Sequence, residues 1–91
     1  MKKGELTRVF DARTEILASL LTEKKHIYQL IDELHLSPGT VNKNVEILEE
    51  EGLLKTDMED KFPRRRFVSL TDKGRKVAGH LEEVRKLLEG D

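Results

Sequence analysis

Ser37-Pro38-Gly39-Thr40-Val41-Asn42-Lys43-Asn44-Val45-Glu46-Ile47-Leu48-Glu49-Glu50-Glu51-Gly52 is the stretch whose reading decides the fold. Ser37 suits the position before a helix, because its hydroxyl can accept one of the backbone N–H groups that a first turn leaves unpaired. Pro38 suits the first helical position, where no N–H is needed. At the other end Gly52 can take the left-handed conformation that closes a helix, and Leu53 supplies the hydrophobic residue that follows. Between these signals Val41, Val45 and Leu48 recur at steps of four and three. They form one buried stripe and leave Gly39, Thr40, Asn42, Lys43 and Glu46 outside. The outward, N-terminal end of this helix is therefore small and polar.

Working forward, Leu53-Leu54-Lys55-Thr56-Asp57-Met58 is β-compatible, and Arg66-Phe67-Val68-Ser69-Leu70 alternates with Val68 and Leu70 on one face. The pair predicts a two-stranded hairpin. Its loop, Glu59-Asp60-Lys61-Phe62-Pro63-Arg64-Arg65, is too long for a tight turn and charged at the tip, so it projects. Thr71 then caps a final helix, with Asp72 in the first turn where a negative charge suits the helix dipole.

Working backward, Asp11 precedes a core helix in which Ile16, Leu17, Leu20 and Leu21 fall at helical spacing. Lys24-Lys25-His26 breaks the period, and Ile27, Leu30, Ile31 and Leu34 restore it in a second helix. His35 and Leu36 alone separate Leu34 from Ser37, the short join of a helix-turn-helix. The last helix, Asp72 to Glu89, places Val77, Leu81, Val84 and Leu88 at steps of four, three and four. This seam either binds a second copy of the chain or packs on the domain's own helices. Ala78 and Gly79 would permit close approach, and Leu6, Val9 and Phe10 form a short helix or arm that would cover apolar surface near the seam.

With 91 residues the chain has room for one domain and one modest core, and not for a cleft between two lobes. The division expected is residues 1–71 as the core with its N-terminal arm, and 72–91 as the C-terminal helix of the same domain. An apolar fraction of 36% beside a charged fraction of 38% suits a soluble globular protein. No apolar run reaches bilayer length and no signal-like segment follows Met1, so a cytoplasmic location and no membrane contact are expected. The absence of cysteine excludes disulfides, thiol nucleophiles and thiolate metal sites. The net charge is only −1, but Lys61, Arg64, Arg65, Arg66, Lys73, Arg75 and Lys76 crowd one region and Glu46, Glu49, Glu50 and Glu51 another. That basic region is either a solvated face or a phosphate-contacting one.

Four segments, taken in order and spacing, resemble the winged-helix DNA-binding regulators, specifically the small one-domain archaeal and bacterial relatives of the MarR and ArsR families. They are Arg13-Thr14-Glu15-Ile16-Leu17, Leu36-Ser37-Pro38-Gly39-Thr40-Val41, Leu48-Glu49-Glu50-Glu51-Gly52-Leu53 and Val68-Ser69-Leu70-Thr71-Asp72-Lys73-Gly74. The likeness covers Asp11 to about Ala78. It implies an α+β, mainly α, winged helix-turn-helix with a three-helix core, a two-stranded wing hairpin and a C-terminal helix. The function implied is sequence-specific binding of double-stranded DNA by a homodimeric transcriptional regulator, with the third helix in the major groove and the wing on the backbone or in the minor groove. By this likeness Ser37, Thr40 and Lys43 sit against phosphates, while Gly39, Thr40, Asn42 and Lys43 face base edges. Lysine donates to guanine and asparagine pairs bidentately with adenine, which makes Asn42 and Lys43 the sequence readers; Asn44, a weaker candidate, flanks the buried stripe and reads as structural or solvated. On the wing Arg64 and Arg65 are the groove or phosphate contacts, supported by Lys61. Lys61-Phe62-Pro63 departs from the MarR pattern, in which arginines follow the aspartate directly. The extra terminal helices that build the MarR ligand pocket are nearly absent, so the sequence does not support a small-molecule effector site.

The rival reading is a winged-helix protein-interaction module using the Glu46, Glu49, Glu50 and Glu51 face. RNA binding would call for stacking aromatics, and Phe10, Phe62, Phe67 and Tyr28 form no platform. His26, His35 and His80 are scattered, with no acid or nucleophile at a telling spacing, so no catalytic residues, no metal ligands and no cofactor are expected.

Overall fold

A computed structural model describes residues 11–90. The expected arm carrying Leu6, Val9 and Phe10 lies outside them. Helix α1 (Ala12–Ser19) opens on Asp11, one carboxylate oxygen of which accepts the backbone N–H groups of Arg13 at 3.1 Å and Thr14 at 3.3 Å. The other oxygen accepts the Arg13 guanidinium at 2.8 Å. Ile16 and Leu17 of α1, with Leu20 just beyond it, enter the core.

Lys24-Lys25-His26 is where the structure corrects the two-stranded expectation. Lys25–His26 form a short strand, β1, that pairs antiparallel with β3 (Arg66–Leu70), which also pairs with β2 (Leu54–Met58). The sheet is three-stranded, in the order β1-β3-β2. Two residues are too few to show alternation, and the strand exists because β3 offers it an edge. Lys25 is itself buried, its ammonium donating to Ser19 Oγ at 2.9 Å and to both Glu33 oxygens at 2.8 and 2.7 Å.

Helix α2 (Ile27–Leu34) starts with a capping box built on histidine: His26 Nδ1 accepts the Gln29 N–H at 3.3 Å, and Gln29 Oε1 accepts the His26 N–H at 2.9 Å. It ends at His35 in the left-handed region, φ 56°, which turns the chain quickly into α3 (Pro38–Glu50). Both ends of α3 match the sequence signals. Ser37 Oγ accepts the Thr40 N–H at 3.2 Å. Gly52, at φ 78°, closes a Schellman stop in which the Gly52 and Leu53 N–H groups reach Glu49 and Leu48 carbonyls, each at 3.0 Å. Leu53 is used in this stop, so β2 begins one residue later than expected.

The β2–β3 register sets Leu54 opposite Leu70 and Thr56 opposite Val68, turning Leu54, Val68 and Leu70 into the interior. Helix α4 (Asp72–Glu89) is capped by Thr71, whose hydroxyl accepts the Gly74 N–H at 2.9 Å and donates to the Gly52 carbonyl at 2.6 Å. One threonine thereby joins the end of α3, the exit of the hairpin and the start of α4. The fully buried side chains at the centre are Ile16, Leu20, Leu30, Val41, Val45 and Val68, each worth roughly 1.5–3 kcal/mol against exposure. Helix α4 contributes Ala78 to this core and packs Val77 and Leu81 against it. The apolar seam read from sequence is only partly free: Val77 and Leu81 face the chain's own core, Leu88 is half-buried beside α1, Val84 is exposed, and Leu87, which lies off the expected seam, is 81% exposed.

Candidate nucleic-acid interface

The exposed end of α3 and the wing meet across an open groove of about 520 Å³. Its walls include Tyr28 and Ile31 from α2, Asn42 from α3, and Arg64, Arg65 and Arg66 from the wing. Three of the residues predicted from sequence, Asn42, Arg64 and Arg65, thus share one concave surface. Gly39 and Lys43 stand one helical turn apart on the exposed surface of α3, and Ser37 and Lys61 are exposed as well. Thr40 is half-buried, because its hydroxyl is drawn into the cap.

The hydrogen bonds assign each polar group a state. Ser37 Oγ accepts the Thr40 N–H and donates to Thr40 Oγ1 at 2.8 Å, which leaves the Thr40 hydroxyl proton available to a further acceptor at the helix N-terminus. Asn42 Nδ2 donates to the Pro38 carbonyl at 2.9 Å, and Asn44 Nδ2 donates to the Thr40 carbonyl at 2.8 Å. Asn42 is exposed and can exchange that bond for another; Asn44 is half-buried against its own helix.

Wing residues 59–65 form a braced turn. The Arg64 N–H bonds to the Lys61 carbonyl at 2.8 Å around a cis Phe62–Pro63 peptide, and Arg64 takes φ 56°. Outside this, the Glu59 N–H bonds to the Arg65 carbonyl at 3.0 Å. The Glu59 carboxylate accepts the Arg65 backbone N–H and Nε, both at 2.9 Å. The Arg65 guanidinium, foremost among the causes, holds the Glu59 carboxyl below the ordinary carboxylate range. Arg66 is also engaged, reaching Glu49 at 3.5 Å, while Thr56 donates to the other Glu49 oxygen at 2.9 Å. Among the described residues, Lys61 and Arg64 have no carboxylate within ion-pair distance. Of the consecutive arginines, Arg64 alone has no carboxylate partner among the described residues; its Nε donates to the Glu59 backbone carbonyl at 3.4 Å.

The basic region of the sequence is not one patch in space. Lys73 donates to the Glu51 carbonyl at 3.2 Å and Arg75 to the Leu21 carbonyl at 3.4 Å, which places them at the foot of the hairpin, the end opposite the wing turn. What sequence reasoning missed lies beside the groove instead. Tyr28 is 72% exposed there. Lys24 and Arg65 lie over the Phe67 ring at 5.2 and 5.8 Å from its centroid, with His26 edge-on at 5.6 Å. An aromatic set off the apolar stripe of α2, just after two lysines, is the signal that pointed there.

A second hollow, between α1 and α4, measures only about 120 Å³ and includes Glu82 and Arg85, which pair at 3.0 Å. Ligand pockets for drug-sized molecules run to about 300–1,000 Å³. Among the described residues no group of three or more histidines and acids is arranged to hold a metal ion, and no helix is long and apolar enough to cross a membrane.

Comparison with known proteins agrees with this fold. The family model for the bacterial regulatory protein, arsR family, matches residues 11–56, from the cap of α1 through most of β2. A structure of the transcriptional regulator homologue protein from Pyrococcus horikoshii OT3 is 30% identical with a TM-score of 0.74, over 86% of this chain and 80% of that one. A mutant of ZitR from Lactococcus lactis is 25% identical with a TM-score of 0.77 over 85% of this chain; the match spans 53%, about half, of ZitR. A protein of Archaeoglobus fulgidus has the same fold, with a TM-score of 0.82 at 20% identity over 93% of this chain and 98% of that one. The search of curated protein sequences gave no match. With the helix-turn-helix, the wing and the family model in agreement, the chain is a winged helix-turn-helix domain that belongs to the arsR family of bacterial regulatory proteins.

Proposed function

We propose that this chain is a transcriptional regulator that reads double-stranded DNA in sequence-specific fashion, with α3 in the major groove and the wing along the adjacent backbone and minor groove. The observation that carries this reading is the shared surface of Asn42 and Arg64, which joins a base-reading side chain to an uncompensated cation. Asn42 exchanges its bond to Pro38 for a bidentate pair with adenine, and Lys43 donates to guanine. Thr40, freed by the Ser37 relay to donate outward, takes a phosphate at the positive end of the helix, and Ser37 and Gly39 let the backbone approach. On the wing Arg64 and Lys61 meet phosphates along the rims of the minor groove, and Arg65 braces the turn through Glu59. Glu46, exposed one turn beyond Lys43, repels phosphate and confines the reading to the first turns of α3.

Two such domains are needed for a palindromic site. In this proposal the dimer forms through the outer part of α4, with Leu87 joining Val84 and Leu88, and with Val77 and Leu81 holding the helix to its own domain. The rival protein-interaction reading loses its acidic face in part, because Glu49 is committed to Thr56 and Arg66.

The test is a selection from random duplexes followed by binding at several salt concentrations. Affinity should fall steeply with salt. Asn42→Ala and Lys43→Ala should each relax preference at particular bases by about 1–3 kcal/mol, whereas Arg64→Ala should weaken every sequence alike. A flat salt response, or equal losses on all sequences for Asn42→Ala, would refute the assignment. Val84→Glu with Leu87→Glu should give a monomer by light scattering, and an unchanged dimer mass would place the interface elsewhere.

A further inference from the structure

At the tip of the wing Phe62 is 93% exposed, and Pro63 follows it. A single apolar residue on a surface needs no explanation. This one differs in how it is held and in what flanks it. The turn is closed by the Arg64 to Lys61 bond, then by the Glu59 to Arg65 bond, and locked outside by the Arg65–Glu59 ion pair at 2.9 Å. On either side of the Phe62-Pro63 pair stand Lys61 and Arg64, the two cations of the wing turn without a carboxylate partner among the described residues. An apolar tip between two uncompensated cations is complementary to the apolar stacking faces of a base step set between two anionic backbones. Pro63 and Arg64 also line the groove that contains Asn42, so the tip is continuous with the reading surface.

We propose that Phe62 and Pro63 form an apolar wedge that enters the DNA minor groove, with Lys61 and Arg64 held on the phosphates of its two rims. The proposal rests on the DNA-binding reading and adds a mechanical consequence to it. An apolar side chain pressed between base pairs partly unstacks the step and bends the duplex, by about 20–90° where such wedges are known. Pyrimidine–purine steps unstack most easily, so the wing selects a TA or CA step without hydrogen bonding to it. Specificity then arises at a position where the chain makes no polar base contact.

The probe is a duplex of about 30 alternating dA and dT pairs, with 2-aminopurine replacing several dA residues and a donor–acceptor dye pair at the ends. On adding the wild-type chain at low salt, 2-aminopurine fluorescence should rise at least twofold and energy transfer should report a bend of at least about 20°. Phe62→Ala should abolish both signals and keep the salt dependence of binding, because no charge is lost. Phe62→Leu should retain most of both. Arg64→Ala should lower the magnitude of the log–log salt slope by about one. Because Phe62 covers nothing in the core, the alanine variant should melt where the wild type does, and circular dichroism checks that it is folded. Binding without a fluorescence rise, or an equal rise with Phe62→Ala, would overturn the wedge alone. Failure of the wild type to bind this duplex at low salt, together with failure to enrich any sequence from random duplexes, would overturn the wedge and the DNA reading together. A drop in oligomeric mass on Phe62→Ala without DNA would show that a second copy covers the tip instead, and would also overturn it.

Discussion

Replacing Gly74 with alanine adds one methyl group at the point where α4 crosses the end of the hairpin. A Cβ built there would lie 1.9 Å from the Leu53 carbonyl oxygen, 2.8 Å from its carbon and 3.2 Å from Leu53 Cα. These are backbone atoms and cannot swing aside as a side chain would. The same carbonyl accepts the Thr71 N–H at 3.1 Å, so displacing it stretches the bond that anchors the start of α4. Relieving the overlap needs a shift of more than an ångström, which belongs at the upper end of overpacking costs, about 3 kcal/mol. A lost or weakened hydrogen bond adds about 1 kcal/mol. Alanine's better helix propensity returns about 1 kcal/mol. The net is a destabilisation of about 3 kcal/mol, and at roughly 4–8 °C per kcal/mol for a domain of this size the Tm should fall by about 12–24 °C. Urea and thermal unfolding followed by circular dichroism would measure it. Gly79→Ala in the same helix is the control: a Cβ there meets nothing within 4 Å, so that variant should gain up to about 1 kcal/mol. A Gly74→Ala protein within about 0.5 kcal/mol of wild type, the range of an ordinary surface change, would refute the claimed approach of the two backbones.

Two further outcomes follow from local geometry. His35 holds a left-handed conformation that costs a side-chain-bearing residue about 1–2 kcal/mol, partly offset by glycine's greater entropy loss, so His35→Gly should raise stability by up to about 1 kcal/mol, and a loss measured by urea unfolding would count against this. The Lys25 ammonium, and secondarily Ser19, hold the Glu33 carboxyl below its ordinary value of 4.5, so its stabilisation is present above that value and is lost as pH falls through the lowered one. Discounted for a half-exposed carboxylate, Glu33→Gln should cost about 1 kcal/mol at pH 7, with the difference from wild type shrinking below about pH 4.5 in acid titrations of stability.

What could be read from the sequence was what is decided locally. Ser37 with Pro38, Gly52 with Leu53, and Thr71 with Asp72 each act within a turn of their own position, and all three pairs mark helix ends in the structure. Features made by distant partners were hidden. Lys25–His26 becomes a strand only against Val68 and Phe67, more than forty positions away. The basic run is continuous in sequence, where Arg66 and Lys73 are near neighbours, yet a full strand of β3 separates them in space. The seam of α4 has regular spacing throughout, but spacing does not reveal that Val77, Leu81 and Leu88 are partly covered by the chain's own elements while Val84 between them is exposed. Tyr28 reads in sequence only as one of four scattered aromatics that form no platform, and its place beside the groove is set where the wing folds back to face it.

The acidic end of α3 bears on how a chain of net charge −1 could hold DNA. Read along the sequence, Glu46 to Glu51 oppose a nucleic acid. In the folded chain Glu49 receives Thr56 from β2 and Arg66 from β3, fastening the hairpin to the side of α3. The carboxylate therefore fixes the angle between helix and wing while neutralising an arginine that lies back from the tip. Glu59 does the same one step further out, neutralising Arg65 while bracing the turn. Each of these acids removes one cation from the wing and in return restricts where the remaining ones stand. Lys61 and Arg64 are left as fixed charges on a held turn, so less conformational entropy is lost when they meet phosphate. On this reasoning Glu49→Gln, which frees Arg66, should strengthen non-specific binding through added charge yet narrow the gap between selected and random duplexes. That outcome would distinguish a brace from a simple repulsive acid, whose removal would strengthen both equally.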